Sequence, residues 1–203
     1  MGHTIYKTEA LIVGVSPRGE ASAAFSLFTE SYGLISARAQ SVRRDKAKLK
    51  HVLNRHKKVS CALVAGKNGW RLIDVEERVL PEDLFISRVK YEVYAKILLW
   101  VTRFVGEEEE VGELYNEVGA MISFLGNHSF EEKDKEALEV LVALSLLHRF
   151  GYISPKEVEK EIEEASDFIF TPQVWEKEHL AQIQKKTRPL VLLINRGVEA
   201  SNL

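Results

Sequence analysis

The sequence predicts an α+β chain: a five-stranded β-barrel over residues 1–80, followed by an all-α helical domain over residues 81–203. Three observations carry this. Short runs up to residue 80 alternate apolar and polar side chains, the period of half-buried strands. From Pro81 onward the apolar residues recur at three- and four-residue spacing, the period of helices. Charge changes sign at the same place. Residues 1–80 hold 14 Lys/Arg against 7 Asp/Glu, and the remainder 14 against 23, so a net charge of −2 conceals segments of +7 and −9. Such asymmetry suggests that the first segment meets a polyanion.

The strands are expected as follows. Thr4 to Val15 mixes Ile, Tyr, Thr, Leu and Val, and Ser16-Pro17-Arg18-Gly19 supplies turn chemistry. Glu20 to Thr29 places Ala21, Ala23, Phe25 and Leu27 on one face, and Tyr32-Gly33 punctuates. Leu34 to Gln40 sets Ile35, Ala37 and Ala39 against Ser36, Arg38 and Gln40. After a basic connection, Val59, Cys61 and Leu63 alternate, Gly66-Lys67-Asn68-Gly69 forms a hairpin turn, and Trp70 to Val75 returns. Five strands with one longer connection between the third and fourth fit an oligonucleotide-binding (OB) barrel.

A first helical pattern runs from Phe85 to Val105, broken by Glu107–Glu110 and Gly112; a second runs from Val111 to Leu125 and ends at Gly126-Asn127. Lys135 to Phe150 is apolar on almost every side, the mark of a central buried helix, with Gly151 as its stop. Ser154-Pro155-Lys156-Glu157 is a capping box with proline at the first helical position. Thr171-Pro172 and Arg188-Pro189 each open a further short helix.

Several function classes are disfavoured. No phosphate-binding loop, dinucleotide fingerprint, nucleophile elbow or H-E-x-x-H pair occurs. Six scattered histidines and the single Cys61 offer no metal-ligand spacing and no disulfide, so neither a metal nor a cofactor is expected. Cys61 reads as a small buried hydrophobe, and the Glu107–Glu110 run as a solvated loop. The longest nearly apolar stretch, Ala137–Leu147, contains Glu139 and Ser145 and falls short of the ~20 residues of a membrane span. Lys7 and Glu9 interrupt any signal-peptide pattern at the start. A cytoplasmic, non-enzymatic protein without a membrane is expected.

One cluster stands out. Between Arg38 and Lys58 lie Arg38, Arg43, Arg44, Lys46, Lys48, Lys50, Arg55, Lys57 and Lys58, with Asp45 the sole acid. Surfaces ordinarily intersperse both signs; nine against one points to phosphate neutralisation and salt-dependent nucleic-acid affinity. His51 and His56 add charge below neutral pH. Tyr6, Tyr32 and Trp70 are the aromatics available either to stack on bases or to pack within the barrel.

The run Tyr6-Lys7-Thr8-Glu9-Ala10, then Gly19-Glu20-Ala21, Leu27-Phe28-Thr29, Tyr32-Gly33-Leu34-Ile35, Arg38-Ala39 and Arg43-Arg44 resembles the amino-terminal OB domain of the bacterial recombination-mediator family RecO. Leu146-Leu147 followed by Gly151-Tyr152 resembles a segment of that family's helical domain. The resemblance implies a non-catalytic protein that binds single- and double-stranded DNA and anneals complementary strands. It also implies help in loading the recombinase RecA onto strands coated by single-stranded DNA-binding protein, together with a RecR-like partner. The helical domain of the family receives the acidic, Phe-ended tail of the coating protein. Lys96, Arg103 and Arg149 are the basic residues set among apolar helix positions that such a pocket would use, or else they are surface residues with buried stems. The departures are Ser41 for the usual Gly before the arginine pair and Ser22 for the Asp of the family's G-E-A-D. The four-cysteine zinc finger of many members is also missing, which resembles a shortened, zinc-free branch. Outside this family, an OB-type protein-interaction adaptor or an RNA-binding protein without annealing activity shares the basic patch.

Overall fold

Alternation turns directly into strands. A computed structural model describes residues 4–18, 22–39, 54–67, 69–106, 111–162 and 166–201, and they form two compact units: Met1–Leu80 with Val105–Tyr115, and Pro81–Phe104 with Asn116–Leu203.

The first unit is a closed barrel of β1 (Ile5–Arg18), β2 (Ser22–Thr29), β3 (Gly33–Ala39), β4 (Lys58–Gly66) and β5 (Gly69–Arg78), in the order β1-β2-β3-β5-β4. The fold is therefore the expected α+β class, five strands in an OB-type barrel with helices after it. Ile12, Phe25, Leu27 and Leu63 are each at most 2% exposed and fill the barrel. On β3 the expected alternation holds: Ile35, Ala37 and Ala39 are buried, Ser36 and Arg38 exposed.

β1 serves two neighbours. Its first half pairs with β4, from Ile5↔Val64 to Leu11↔Lys58, and its second half with β2, from Ala10↔Thr29 to Arg18↔Ser22. A register shift between Ile12 and Gly14 makes the bend, as bulges do. Gly14 fits closely there, because a Cβ would meet Ser26 Oγ at 3.0 Å and the serine would have to give way by a few tenths of an ångström. The turn expected at Ser16-Pro17-Arg18 is instead strand, with Pro17 opposite Ala23. Proline's fixed φ suits extended chain, and near a strand end its missing N–H is tolerated.

The second unit holds α1 (Asp83–Ile86), α2 (Arg88–Phe104), most of α3 (Gly112–Asn127), α4 (Lys135–Arg149), α5 (Pro155–Glu159) and α6 (His179–Ala200). α4 packs against α2 and α6 and buries an unbroken run from Val140 to Leu147. It ends where Gly151 adopts φ +80°, with the Tyr152 N–H donating to the Leu147 carbonyl at 2.8 Å. The capping box at Ser154 and Glu157 starts α5.

Two helix expectations are corrected. The single pattern from Phe85 is two helices, because Ser87 is extended (φ −82°, ψ 119°) and its hydroxyl accepts the Lys90 N–H at 3.4 Å. Arg188-Pro189 does not open a helix but lies inside α6, which kinks at Lys186 (φ −124°, ψ 15°). Proline's ring clashes with the carbonyl four residues back and removes one ladder bond, so the helix bends just before it. Among the described residues no helix is long and apolar enough to cross a membrane.

Candidate nucleic-acid interface

Alternation on β3 sends Arg38 outward, and the parallel pairing with β5 places Ala37 opposite Trp70 and Arg38 opposite Arg71. Arg18 ends β1 opposite Ser22, and Lys67 lies in the β4–β5 turn, which closes through Gly69 at φ +89°. These strand ends converge on an open cleft of about 580 Å³, lined by Arg18, Arg38, Lys67, Arg71 and Trp70 together with small or apolar residues. Among the described residues no Asp or Glu lines it, and none of the four cations forms an ion pair. An uncompensated cationic concavity attracts anions and focuses the field at its floor.

Trp70 packs against two tyrosines. Its ring lies 5.3 Å from Tyr6, edge to face, and 5.2 Å from Tyr32 at a 37° tilt. The two tyrosines meet edge to face at 5.9 Å. All three rings pack on the barrel core while Trp70 also reaches the cleft.

Of the nine basic residues between Arg38 and Lys58, four are described, and Arg38 stands apart from the other three. Arg43, Arg44, Lys46, Lys48 and Lys50 lie outside the described residues. Arg55, Lys57 and Lys58 sit at the start of β4, roughly 20 Å along the strand from the cleft at its far end. Arg55 is exposed. Lys57 donates to Glu77, and Lys58 lies 3.7 Å from Glu9 and 6.0 Å from the centre of the Tyr115 ring. His56, with φ 68°, donates its backbone N–H to the Ile12 carbonyl at 2.7 Å. Its imidazole is held below the usual histidine pKa, first by partial burial and then by Arg55. It therefore gains a proton only at lower pH than the sequence suggests.

Against known proteins, residues 1–75 match the family described as Recombination protein O N terminal. Residues 1–75 are thus similar to the RecO amino-terminal domain, and the longer alignments are to RecO proteins. It is 26% identical over 170 residues to a DNA repair protein RecO of Polynucleobacter necessarius subsp. necessarius (strain STIR1), covering 81% of this chain and 68% of the relative. It is 25% identical over 159 residues to a DNA repair protein RecO of Thermoanaerobacter sp. (strain X514), covering 73% of this chain and 59% of the relative. The chain thus spans about three fifths to two thirds of the length of these relatives.

Three cleft residues escaped the sequence reading: Arg18, Lys67 and Arg71. The available signal was their position, each beside a turn at the end of a strand, but only pairing joins them to Arg38. In the helical unit, each of the residues suggested by the RecO resemblance has its own neighbours. Lys96 on α2 donates to Glu139 on α4 at 2.7 Å, and Arg149 lies 3.5 Å from Glu117 on α3. Arg103 stands 5.6 Å from the Phe104 ring, which stacks on Trp100 and Phe150. Of the three, only Lys96 lines the small cavity of about 220 Å³ formed by Trp100, Val140, Ala143, Val191 and Ile194, whose rim also carries Glu136 and Glu139.

Among the described residues no group of three His, Cys, Asp or Glu is placed to hold a metal. Cys61 is 2% exposed inside the barrel, donates to the Thr8 carbonyl at 3.5 Å, and has its thiol pushed up to about 12, by burial first and Glu9 second.

Proposed function

We propose that this chain acts in DNA repair as a recombination mediator that binds single- and double-stranded DNA through its barrel and promotes annealing of complementary strands. The observation that carries the reading is the cleft, where four cations meet with no carboxylate among the described residues. Two strands approaching each other repel through their phosphates, and a protein surface that replaces condensed counterions lowers that repulsion without any covalent step. The charge split supports the same reading, since a −9 carboxyl-terminal segment disfavours DNA away from the cationic segment.

Loading of RecA onto strands coated by single-stranded DNA-binding protein, with a RecR-like partner, is the role that the similarity to RecO proteins suggests. Docking of the coating protein's tail by Lys96, Arg103 and Arg149 is the corresponding proposal for the helical unit. This work belongs with the DNA, in the cytoplasm, and requires neither metal nor cofactor.

The test is an annealing assay with complementary oligonucleotides, bare and coated, joined to a salt titration of binding. Annealing faster than the protein-free strands is expected, with log affinity falling about 0.7 per log salt for each single-strand phosphate neutralised. Absence of binding at low salt, or annealing at the protein-free rate, overturns the proposal.

A further inference from the structure

We infer that the small cavity between α2 and α6 in the helical unit is a socket for an arginine side chain presented by a partner protein. The site is separate from the barrel cleft, and nothing in it depends on the DNA-binding reading.

Packing makes the cavity. α2 and α6 both lie on α4, and Val140 and Ala143 of α4 line the space between them. Ala143 is the smallest side chain in the buried run from Val140 to Leu147, so the floor is low there. Trp100 of α2 and Val191 and Ile194 of α6 form the walls of a space of about 220 Å³. An apolar cavity of about 150 Å³ holds a benzene-sized molecule. This one is sized for a single large side chain.

Charge selects the occupant. Glu136 and Glu139 stand one turn apart on α4 at the mouth. The Lys96 ammonium donates to Glu139 at 2.7 Å. The exposed Glu136 carboxylate has neither ion pair nor hydrogen bond among the described residues. A negative charge is therefore left unanswered at the rim of an apolar hole. A wholly apolar side chain leaves it so, and an acidic one is repelled. A cation on an aliphatic stem suits both parts, with the stem along Val140, Ala143 and Ile194 and the head at Glu136.

Trp100 narrows the choice to arginine. Its ring stacks on Phe104 (5.4 Å, 17°), which stacks on Phe150 (5.1 Å, 16°), so the wall is fixed before a ligand arrives. A guanidinium lies flat on an indole and donates two parallel N–H bonds to one carboxylate; an ammonium has neither the plane nor the fork. Leu99, 64% exposed and one turn beyond Lys96 on α2, continues the apolar surface past the mouth. A polypeptide can use that second contact and a free small cation cannot. Of the three cations named for the acidic tail, only Lys96 lines this cavity, and Glu139 already answers its charge.

Fluorescence anisotropy with the full chain tests this. The probe is a short labelled peptide of alanine and leucine with one central arginine; its counterpart carries citrulline, which keeps the shape and loses the charge. The arginine peptide is expected to bind at least about fivefold more tightly. Glu136→Gln, an exposed change that leaves the core untouched, should weaken the arginine peptide roughly 3- to 10-fold and the citrulline peptide little. Trp100→Leu should weaken the arginine peptide roughly 2- to 30-fold, with circular dichroism confirming the fold. Glu178→Gln, exposed just before α6 and away from the cavity, should change nothing. No binding of the arginine peptide, or equal binding of the two peptides, would overturn the socket. So would the same loss in Glu136→Gln and Glu178→Gln, the mark of general attraction to an acidic unit. Displacement of the arginine peptide by a short acidic peptide ending in Phe gives the cavity to that ligand and overturns the proposal as well. DNA binding is read separately and stands or falls on its own assay.

Discussion

Arg38 on β3 and Arg71 on β5 face each other as register partners across the parallel junction that closes the barrel. Like charges set directly opposite on a sheet destabilise it, by about 0.2–1 kcal/mol, and among the described residues no carboxylate lines the cleft to offset them. Arg71→Glu replaces repulsion by attraction. The variant should unfold at higher urea concentration than wild type by up to that amount, while its DNA affinity falls and its salt dependence flattens. A variant that binds DNA as well as wild type would show that the pair has no part in binding.

Cys61 should be chemically silent. With its thiol raised to about 12, the reactive thiolate is scarce at neutral pH. Labelling by a disulfide reagent in native buffer should therefore be slow and should accelerate in step with unfolding as denaturant is added. Fast stoichiometric labelling at pH 7.5 without denaturant would contradict the buried placement.

Acid should act on the helical unit through Glu92. Its carboxyl is held down to about 2, chiefly by the hydrogen bond from Arg88 at 2.7 Å and then by Lys135. A depressed carboxylate contributes stability that is complete above its ordinary value of 4.5 and lost as pH falls through 2. Glu92→Gln should therefore lose stability less steeply than wild type between pH 4.5 and 2, the two converging below. Parallel curves in urea titrations across that range would exclude the effect.

Gly126 in α3 offers a test of packing against propensity. Alanine favours a helix by about 1 kcal/mol over glycine, yet a Cβ here would fall 2.6 Å from Pro81 Cβ and closer still to Cγ. The clash should dominate, and Gly126→Ala should lower stability by about 1–3 kcal/mol. Adding Pro81→Gly should recover part of the loss, and a stabilised single variant would refute the contact.

The strands were legible because a period of two survives in a half-buried barrel. β3 reads off its own residues, Ile35, Ala37 and Ala39 in and Ser36 and Arg38 out. Local signals failed where a residue's usual meaning was overruled by its neighbours. Pro17 reads as a turn but is strand because Ala23 pairs with it, and Pro189 reads as a helix start although α6 runs through it with a kink. Ser87 carries no breaker signal, yet its hydroxyl divides α1 from α2. The cleft was the least legible feature. Density along the chain drew attention to residues 38–58, whereas Glu77 and Glu9 engage Lys57 and Lys58, and pairing assembles Arg18, Arg38, Lys67 and Arg71 from four separate places.

Closure of the barrel limits how anything can attach to it. With β1 bent at Gly14 to serve both β4 and β2, and β3 joined to β5 at Ala37↔Trp70 and Arg38↔Arg71, each strand has a neighbour on either side over part of its length. An extended peptide therefore meets no strand whose whole edge is vacant, which disfavours recognition by strand addition. Docking on this barrel then falls chiefly to side chains and turns, so its partners should be separable by single surface substitutions that leave the backbone untouched.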